Sequence, residues 1–178
     1  MLDKLIEFLK DGLEFFHFVT IIDQFERGIV LRFGRLHRHL EPGLHWFWPL
    51  KCEEVLRHPI VVDTQELGEQ SLTTSDAHSI TLTGVITFQV SDVEAVLLRV
   101  QGERQALIDS ASGIIGTKVL ESSWAEVISP DFWNEVTIAV RRRAKKYGIE
   151  VLEVQFKDLA KSRSLRIWNS NRYAEQKS

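Results

Sequence analysis

The sequence contains one cysteine, four prolines and no long apolar run. Its only cysteine, Cys52, cannot form an intramolecular disulfide, which is consistent with a reducing compartment without requiring one. The longest uncharged run near the N-terminus covers residues 15–22, whereas a membrane-spanning helix needs roughly 20 apolar residues. Charged side chains also interrupt residues 1–14, so a cleaved signal peptide is not expected. We therefore expect any contact with a membrane to come from one side.

The composition is that of a folded domain. The 178 residues are 44% hydrophobic and 26% charged, a balance that suits one domain or two small subdomains sharing a core. The net charge of −3 argues against nucleic acid as a partner.

Residues 1–22 form a segment in which Leu2 to Phe16 have the spacing of an amphipathic helix, with a broad, aromatic apolar side. One interpretation is a helix packed on the body of a soluble domain. The other is a membrane-associating segment that lies in the lipid interface, which the phenylalanines favour. The side chains that would enter the interface are Leu2, Leu5, Ile6, Leu9, Leu13, Phe15, Phe16 and Phe18.

The remaining pattern changes from β to α and indicates an α+β fold. Strands are predicted at residues 28–34, 55–62 and 79–90, the last with strict alternation of apolar and polar residues. Helices are predicted at residues 92–100, 103–116 and 131–147, with a capping box at Ser123 and Glu126 and a stop at Gly148. A strand at residues 149–157 follows.

Trp46, Phe47 and Trp48 form an aromatic cluster just after the Pro42-Gly43 turn. Alternation puts both tryptophans on one side and Phe47 on the other, so one buried face cannot easily cover all three. The cluster is either the cap of a small core or a loop that enters the bilayer interface, where tryptophan is favoured.

Candidate catalytic and metal-binding groups are weak. His37 and His39 would share a face, but no third ligand lies at metal-site spacing nearby. No activated nucleophile, P-loop or dinucleotide motif is recognisable. We therefore expect no metal, no cofactor and no enzymatic activity.

A basic run occupies the last turns of the predicted helix at residues 131–147. These cations complement the helix dipole, and they could also contact a neighbouring subunit or lipid headgroups. The run comprises Arg141, Arg142, Arg143, Lys145 and Lys146.

An ordered series of blocks resembles the SPFH (band 7) domain family, which includes stomatin, prohibitin, flotillin and the HflK/HflC pair. The blocks are IDQFERGIVLRFGR at residues 22–35, EPGL at 41–44, VVDTQ at 61–65, TTSD at 73–76, GTKVL at 116–120, YGIEV at 147–151 and FKD at 156–158. The pattern is most similar to stomatin-like members.

The resemblance implies a non-enzymatic scaffold attached to one membrane leaflet, with the cytoplasmic face expected. It implies homo-oligomeric rings that organise a membrane microdomain or regulate an enclosed membrane protein or membrane protease. It also implies a β-rich first subdomain at residues 23–75, an α+β second subdomain at 76–160 and a short basic tail at 161–178. Because residues 161–177 lack heptads, either this chain is a reduced member of the family or its oligomer lacks the tall coiled-coil wall, so the resemblance does not extend to a closed cage. The alternative is a soluble adaptor whose apolar N-terminal face docks on a partner protein.

Overall fold

The computed structural model describes residues 19–48 and 52–162, and these contain three antiparallel sheets. A two-stranded ribbon pairs β1 with β4, a second sheet has the order β3-β2-β5, and a third has the order β6-β7-β8. The strands are β1 (Val19–Ile22), β2 (Glu26–Arg32), β3 (Arg35–Leu40), β4 (Gly43–Trp46), β5 (Glu53–Pro59), β6 (Asp63–Thr73), β7 (Ser79–Val90) and β8 (Ile149–Lys161).

Four helices connect β7 to β8, so the described residues confirm the α+β fold. They are α1 (Val93–Arg99), α2 (Glu103–Glu121), α3 (Trp124–Val127) and α4 (Pro130–Ala144), and a 3₁₀ turn (Lys145–Tyr147) follows α4. The predicted amphipathic helix falls within residues 1–18, which lie outside the described residues. Residues 19–22, the end of the predicted membrane-associating segment, form β1, consistent with the β-branched run Val-Thr-Ile-Ile.

The larger core lies between the third sheet and helices α2 and α4. Alternation along β7 turns Ile80, Leu82 and Ile86 into this core, as the sequence predicted. The helices cover them with a stripe at helical spacing that includes Leu107 and Val136.

A smaller core lies under the second sheet. Ile22, Val30 and Leu40 are buried there, and the partly buried Phe47 and Val55 pack against them. Because this core is small, only a few side-chain contacts hold the surrounding loops in place.

Helix α2 continues five residues beyond its predicted end at Gly116. The reason is that Val119 extends the same buried stripe as Ile115. Gly116 lies within the helix beside Leu72, where an added Cβ would make only an ordinary contact at 3.6 Å, so this glycine does not end the helix.

The predicted helix boundaries hold elsewhere. Asp92 accepts from the Ala95 N–H at the start of α1 (3.1 Å), and Glu126 reaches back to the Ser123 N–H (2.6 Å) as the capping box requires. Gly148, with φ +78°, ends the helical segment after the 3₁₀ turn.

Strand β6 bears on the division into subdomains. It precedes the predicted boundary after residue 75, yet it pairs with β7 from Asp63↔Phe88 to Thr73↔Ser79. We therefore propose that the division falls before β6, at the short connection that follows Pro59.

Candidate membrane-facing surface

The β1–β4 ribbon exposes one apolar face. In the antiparallel register Val19 lies opposite Trp46, and Ile21 lies opposite Leu44. Because side chains alternate along a strand, these four share one face, which we call the ribbon face. Ile21 is 62% exposed, Leu44 58% and Trp46 67%. The opposite face carries Ile22, which is buried in the smaller core.

Trp48 continues the exposed aromatic surface beyond β4. It is 67% exposed, whereas Phe47 between the two tryptophans is partly buried and packs on the smaller core. The Arg38 guanidinium lies 5.4 Å from the centre of the Phe47 ring and donates to the Trp46 carbonyl. The alternation expected from the sequence is therefore present, and Phe47 anchors the segment while both indoles face outward.

A buried carboxylate holds the end of this segment. The Glu53 side chain is only 1% exposed, and it accepts the Trp48 N–H at 3.1 Å and the Arg32 guanidinium at 2.9 and 2.6 Å. Burial opposes ionisation of Glu53, but the hydrogen bonds from Arg32 and Trp48 outweigh burial and hold its pKa below the ordinary value. An ionised Glu53 thus fixes the backbone on which Trp48 is presented.

The structure adds three residues to the surface predicted from the sequence. Val19, Ile21 and Leu44 join Trp46 through strand pairing. The alternating stretches VTII and LHW were the available signal, but each is too short to reveal its partner strand. Phe47 is the predicted residue that packs inward. The other predicted membrane residues, Leu2 to Phe18, lie outside the described residues.

The basic run lies at the end of α4, as predicted, but its members differ in environment. The Arg141 guanidinium donates to the carbonyls of Val151 and Leu152, both at 2.8 Å. Thr137, one turn earlier, accepts the Val154 N–H at 3.2 Å. These two side chains occupy hydrogen-bonding groups on the free edge of β8, which would otherwise offer a template for strand pairing.

The other four cations, Arg142, Arg143, Lys145 and Lys146, are exposed, while Ala144 between them is buried. A hydrogen bond with Ser110 lowers the pKa of Tyr147, and the nearby Arg143 acts in the same direction. A role of these cations in lipid or subunit contact stays a prediction.

A groove of about 820 Å³ lies between α4 and β8. Exposed Ile138 and Phe156 line it, and three of its polar side chains have structural partners. Trp133 donates its indole N–H to the Val127 carbonyl (3.0 Å), and Thr137 and Arg141 bond to β8. We assign no chemistry to this groove.

Within residues 19–48 and 52–162, no helix has the length and apolarity needed to cross a bilayer. The same residues contain no group of three or more side chains suited to holding a metal ion. His39, one of the two histidines considered for metal binding, lies 3.4 Å from the carboxylate of Glu94.

Comparison with known proteins agrees with this α+β architecture. The model of the SPFH domain / Band 7 family matches residues 20–167. The chain therefore belongs to the SPFH domain / Band 7 family.

Individual relatives are distant. Protein HflK of Treponema pallidum is 26% identical over 148 residues, covering 71% of this chain and 43% of that protein. The modulator of FtsH protease HflK of Escherichia coli is 31% identical over 144 residues, covering 76% of this chain and 33% of that protein. An uncharacterised protein of Methanocaldococcus jannaschii is 26% identical over 151 residues, covering 79% of this chain and 71% of that protein. The chain thus spans less than half of either HflK protein.

Proposed function

We propose that this SPFH-domain protein is a non-enzymatic, membrane-associated scaffold. Its copies associate into a ring-like homo-oligomer that organises a membrane microdomain or regulates an enclosed membrane protein or protease. It sits on one leaflet, on the cytoplasmic face. The observation that carries the proposal is the ribbon face, extended by Trp48, which exposes large apolar side chains next to the segment of residues 1–18.

Lipid fits this surface for a physical reason. Both indoles are exposed, Trp46 on the ribbon and Trp48 just beyond it, instead of being packed in the core, and tryptophan is favoured at the membrane–water interface. Fully burying one large apolar side chain contributes about 1.5–3 kcal/mol. Several such side chains per subunit, repeated around an oligomer, would hold the assembly on a membrane through multivalency.

The kind of membrane protein that the scaffold regulates is proposed from the names of the relatives. A relative named as a modulator of FtsH protease is 31% identical to this chain, which favours a membrane protease as the regulated partner. The exposed cations Arg142, Arg143, Lys145 and Lys146 are proposed to contact either an adjacent subunit or anionic headgroups.

Flotation with liposomes tests the membrane proposal. Wild-type protein is expected to float, and the pair Trp46→Ser and Trp48→Ser is expected to weaken partitioning roughly tenfold or more. The matched control is Leu120→Ser with Ile138→Ser, which removes exposed apolar side chains from α2 and α4 instead. If wild-type protein floats with neither neutral nor anionic vesicles, the scaffold proposal is wrong and the soluble adaptor is favoured.

Mass photometry and electron microscopy of detergent-solubilised particles test the assembly. We expect rings. Single subunits at all protein concentrations would contradict the proposed oligomer. The pair Arg142→Glu and Lys146→Glu separates the two roles of the basic run. Reduced ring formation indicates subunit contact, whereas intact rings with weaker binding to anionic vesicles alone indicate headgroup contact.

A further inference from the structure

The turn between β2 and β3 carries an aromatic side chain at its tip. Arg32 pairs with Arg35, so the hairpin turns in two residues, Phe33 and Gly34. Phe33 is 79% exposed, more than any other large apolar side chain within residues 19–48 and 52–162. Small or polar residues usually occupy such a tip, so neither burial nor turn chemistry accounts for a phenylalanine here.

The backbone of this turn disfavours phenylalanine. Phe33 has φ +51° and Gly34 has φ +74°, and a type I′ hairpin turn requires a positive φ at both positions. Glycine and asparagine adopt this left-handed region readily, whereas a bulky L side chain is strained there. Phe33 therefore opposes the stability of the hairpin while most of its ring lies in solvent. Backbone strain at an exposed residue points to a role in function.

The tip lies at the end of the second sheet from which Trp48 projects. The Phe33 N–H donates to the Cys52 carbonyl at 3.0 Å. The adjacent residue, Glu53, accepts the Trp48 N–H at 3.1 Å and is paired with Arg32 in the sheet. Two short links thus connect the backbone of Phe33 to that of Trp48, which continues the exposed surface of the ribbon.

The charge of the hairpin suits an anionic surface. Residues 27–40 contain four arginines and no carboxylate. Arg27 and Arg32 pair with carboxylates from neighbouring segments, while Arg35 is exposed directly beside the tip. An aromatic ring followed by an arginine fits a bilayer interface, because the ring can enter the acyl boundary while the guanidinium stays among the headgroups.

We propose that the β2–β3 turn is a further point of membrane entry: the Phe33 ring inserts at the bilayer interface beside Trp48, and Arg35 contacts anionic headgroups. This inference rests on the proposed membrane function and adds a contact from a separate part of the chain. It implies a trade-off, since the side chain that suits lipid at this position is one that the turn itself disfavours.

Liposome flotation of the full chain, combined with denaturant unfolding, tests the turn. Phe33→Asn removes the ring and creates Asn-Gly, the favoured sequence for this turn. It should partition at least about threefold more weakly than wild type into vesicles of phosphatidylcholine with phosphatidylserine, while its unfolding midpoint stays the same or rises. Phe33→Trp should keep wild-type partitioning. Arg35→Gln should weaken binding to these vesicles about twofold or more, and leave binding to pure phosphatidylcholine unchanged.

The matched control is Phe25→Asn. Phe25 is also exposed, but it precedes β2 at the other end of the strand, roughly 25 Å from Phe33. This variant should float as wild type does. Equal loss of flotation in Phe25→Asn and Phe33→Asn would overturn the proposal, because any exposed ring would then have the same effect. A Phe33→Asn protein less stable than wild type would also overturn it, since the phenylalanine would then serve the fold.

The experiment separates this proposal from the proposed membrane function. If wild-type protein floats and the pair Trp46→Ser and Trp48→Ser weakens flotation, but Phe33→Asn floats as wild type does, only the entry of the turn is wrong. If Phe33→Asn instead loses ring assembly with flotation unchanged, the tip contacts another subunit and the proposal is likewise wrong. Wild-type protein that floats with no vesicles contradicts both.

Discussion

Val19 and Trp46 lie opposite each other in the β1–β4 ribbon, although 26 positions separate them in the chain. This pairing, together with Ile21 opposite Leu44, assembles an exposed apolar face from two segments that are distant in sequence. It also places that face directly after residues 1–18, which the sequence predicts to be an amphipathic membrane-associating segment. The ribbon would then extend whatever contact that segment makes.

Glu53→Gln should destabilise the protein by about 1–3 kcal/mol at pH 7, because the charge-assisted bonds from Arg32 and the Trp48 N–H weaken. Since the folded-state pKa of Glu53 is lowered, the stabilisation is present above the ordinary pKa of a glutamate, about 4.3, and is lost as pH falls through the lowered value. Denaturant unfolding should therefore show a smaller difference from wild type below about pH 4.

The control for this prediction is Glu54→Gln, which changes the exposed neighbour and should alter the free energy of unfolding by less than about 0.5 kcal/mol. An equal loss in both variants would show that the Glu53 network is not what holds the segment.

Gly148→Ala should lower the free energy of unfolding by more than about 2 kcal/mol, for two reasons. The residue has φ +78°, and an added Cβ would lie 2.4 Å from the Asp92 carbonyl oxygen. Its own carbonyl also accepts the N–H groups of Ser91 and Asp92 (2.9 and 3.0 Å), so a backbone shift would disturb the start of α1. Thermal or denaturant unfolding measures the loss.

Gly68→Ala is the matched control, since an added Cβ there meets no atom within 4 Å. That variant should be near neutral in unfolding. A Gly148→Ala protein as stable as Gly68→Ala would contradict the close approach described at the end of the 3₁₀ turn.

Arg141→Ala should destabilise the protein by about 1–3 kcal/mol and increase its tendency to aggregate. Its guanidinium donates to two carbonyls on the free edge of β8, and removing it leaves that edge open to pairing. Unfolding and light scattering measure the two effects. Arg142→Ala, which changes an exposed neighbour of the same chemistry, should change neither.

Local patterns predicted much of the fold. The alternation of β7, the caps at Asp92 and Glu126 and the stop at Gly148 all depend on neighbours close in sequence, so the sequence indicated them correctly. The predicted end of α2 at Gly116 was wrong, because the buried stripe continues through Val119 and the helix ends at Glu121. Residues 19–22, at the end of the predicted amphipathic segment, form β1, because their pairing with β4 depends on residues distant in sequence.

The candidate site was predictable only in part. Alternation, which is a local property, predicted that Trp46 and Trp48 lie on one side and Phe47 on the other, but it did not predict which side faces the core. The contribution of Leu44 depends on the register between β1 and β4, and the role of Arg141 depends on where β8 lies beside α4. Both are long-range relationships that no short motif encodes.

The most direct test of the membrane-facing surface compares the two faces of the same ribbon. Ile21→Ser with Leu44→Ser removes apolar side chains from the ribbon face, whereas Thr20→Ser with His45→Gln alters the opposite face at the paired positions. In liposome flotation the first variant should partition several-fold more weakly than wild type, and the second should match wild type. Equal flotation of all three proteins, or equal loss in both variants, would contradict the assignment of this face to lipid.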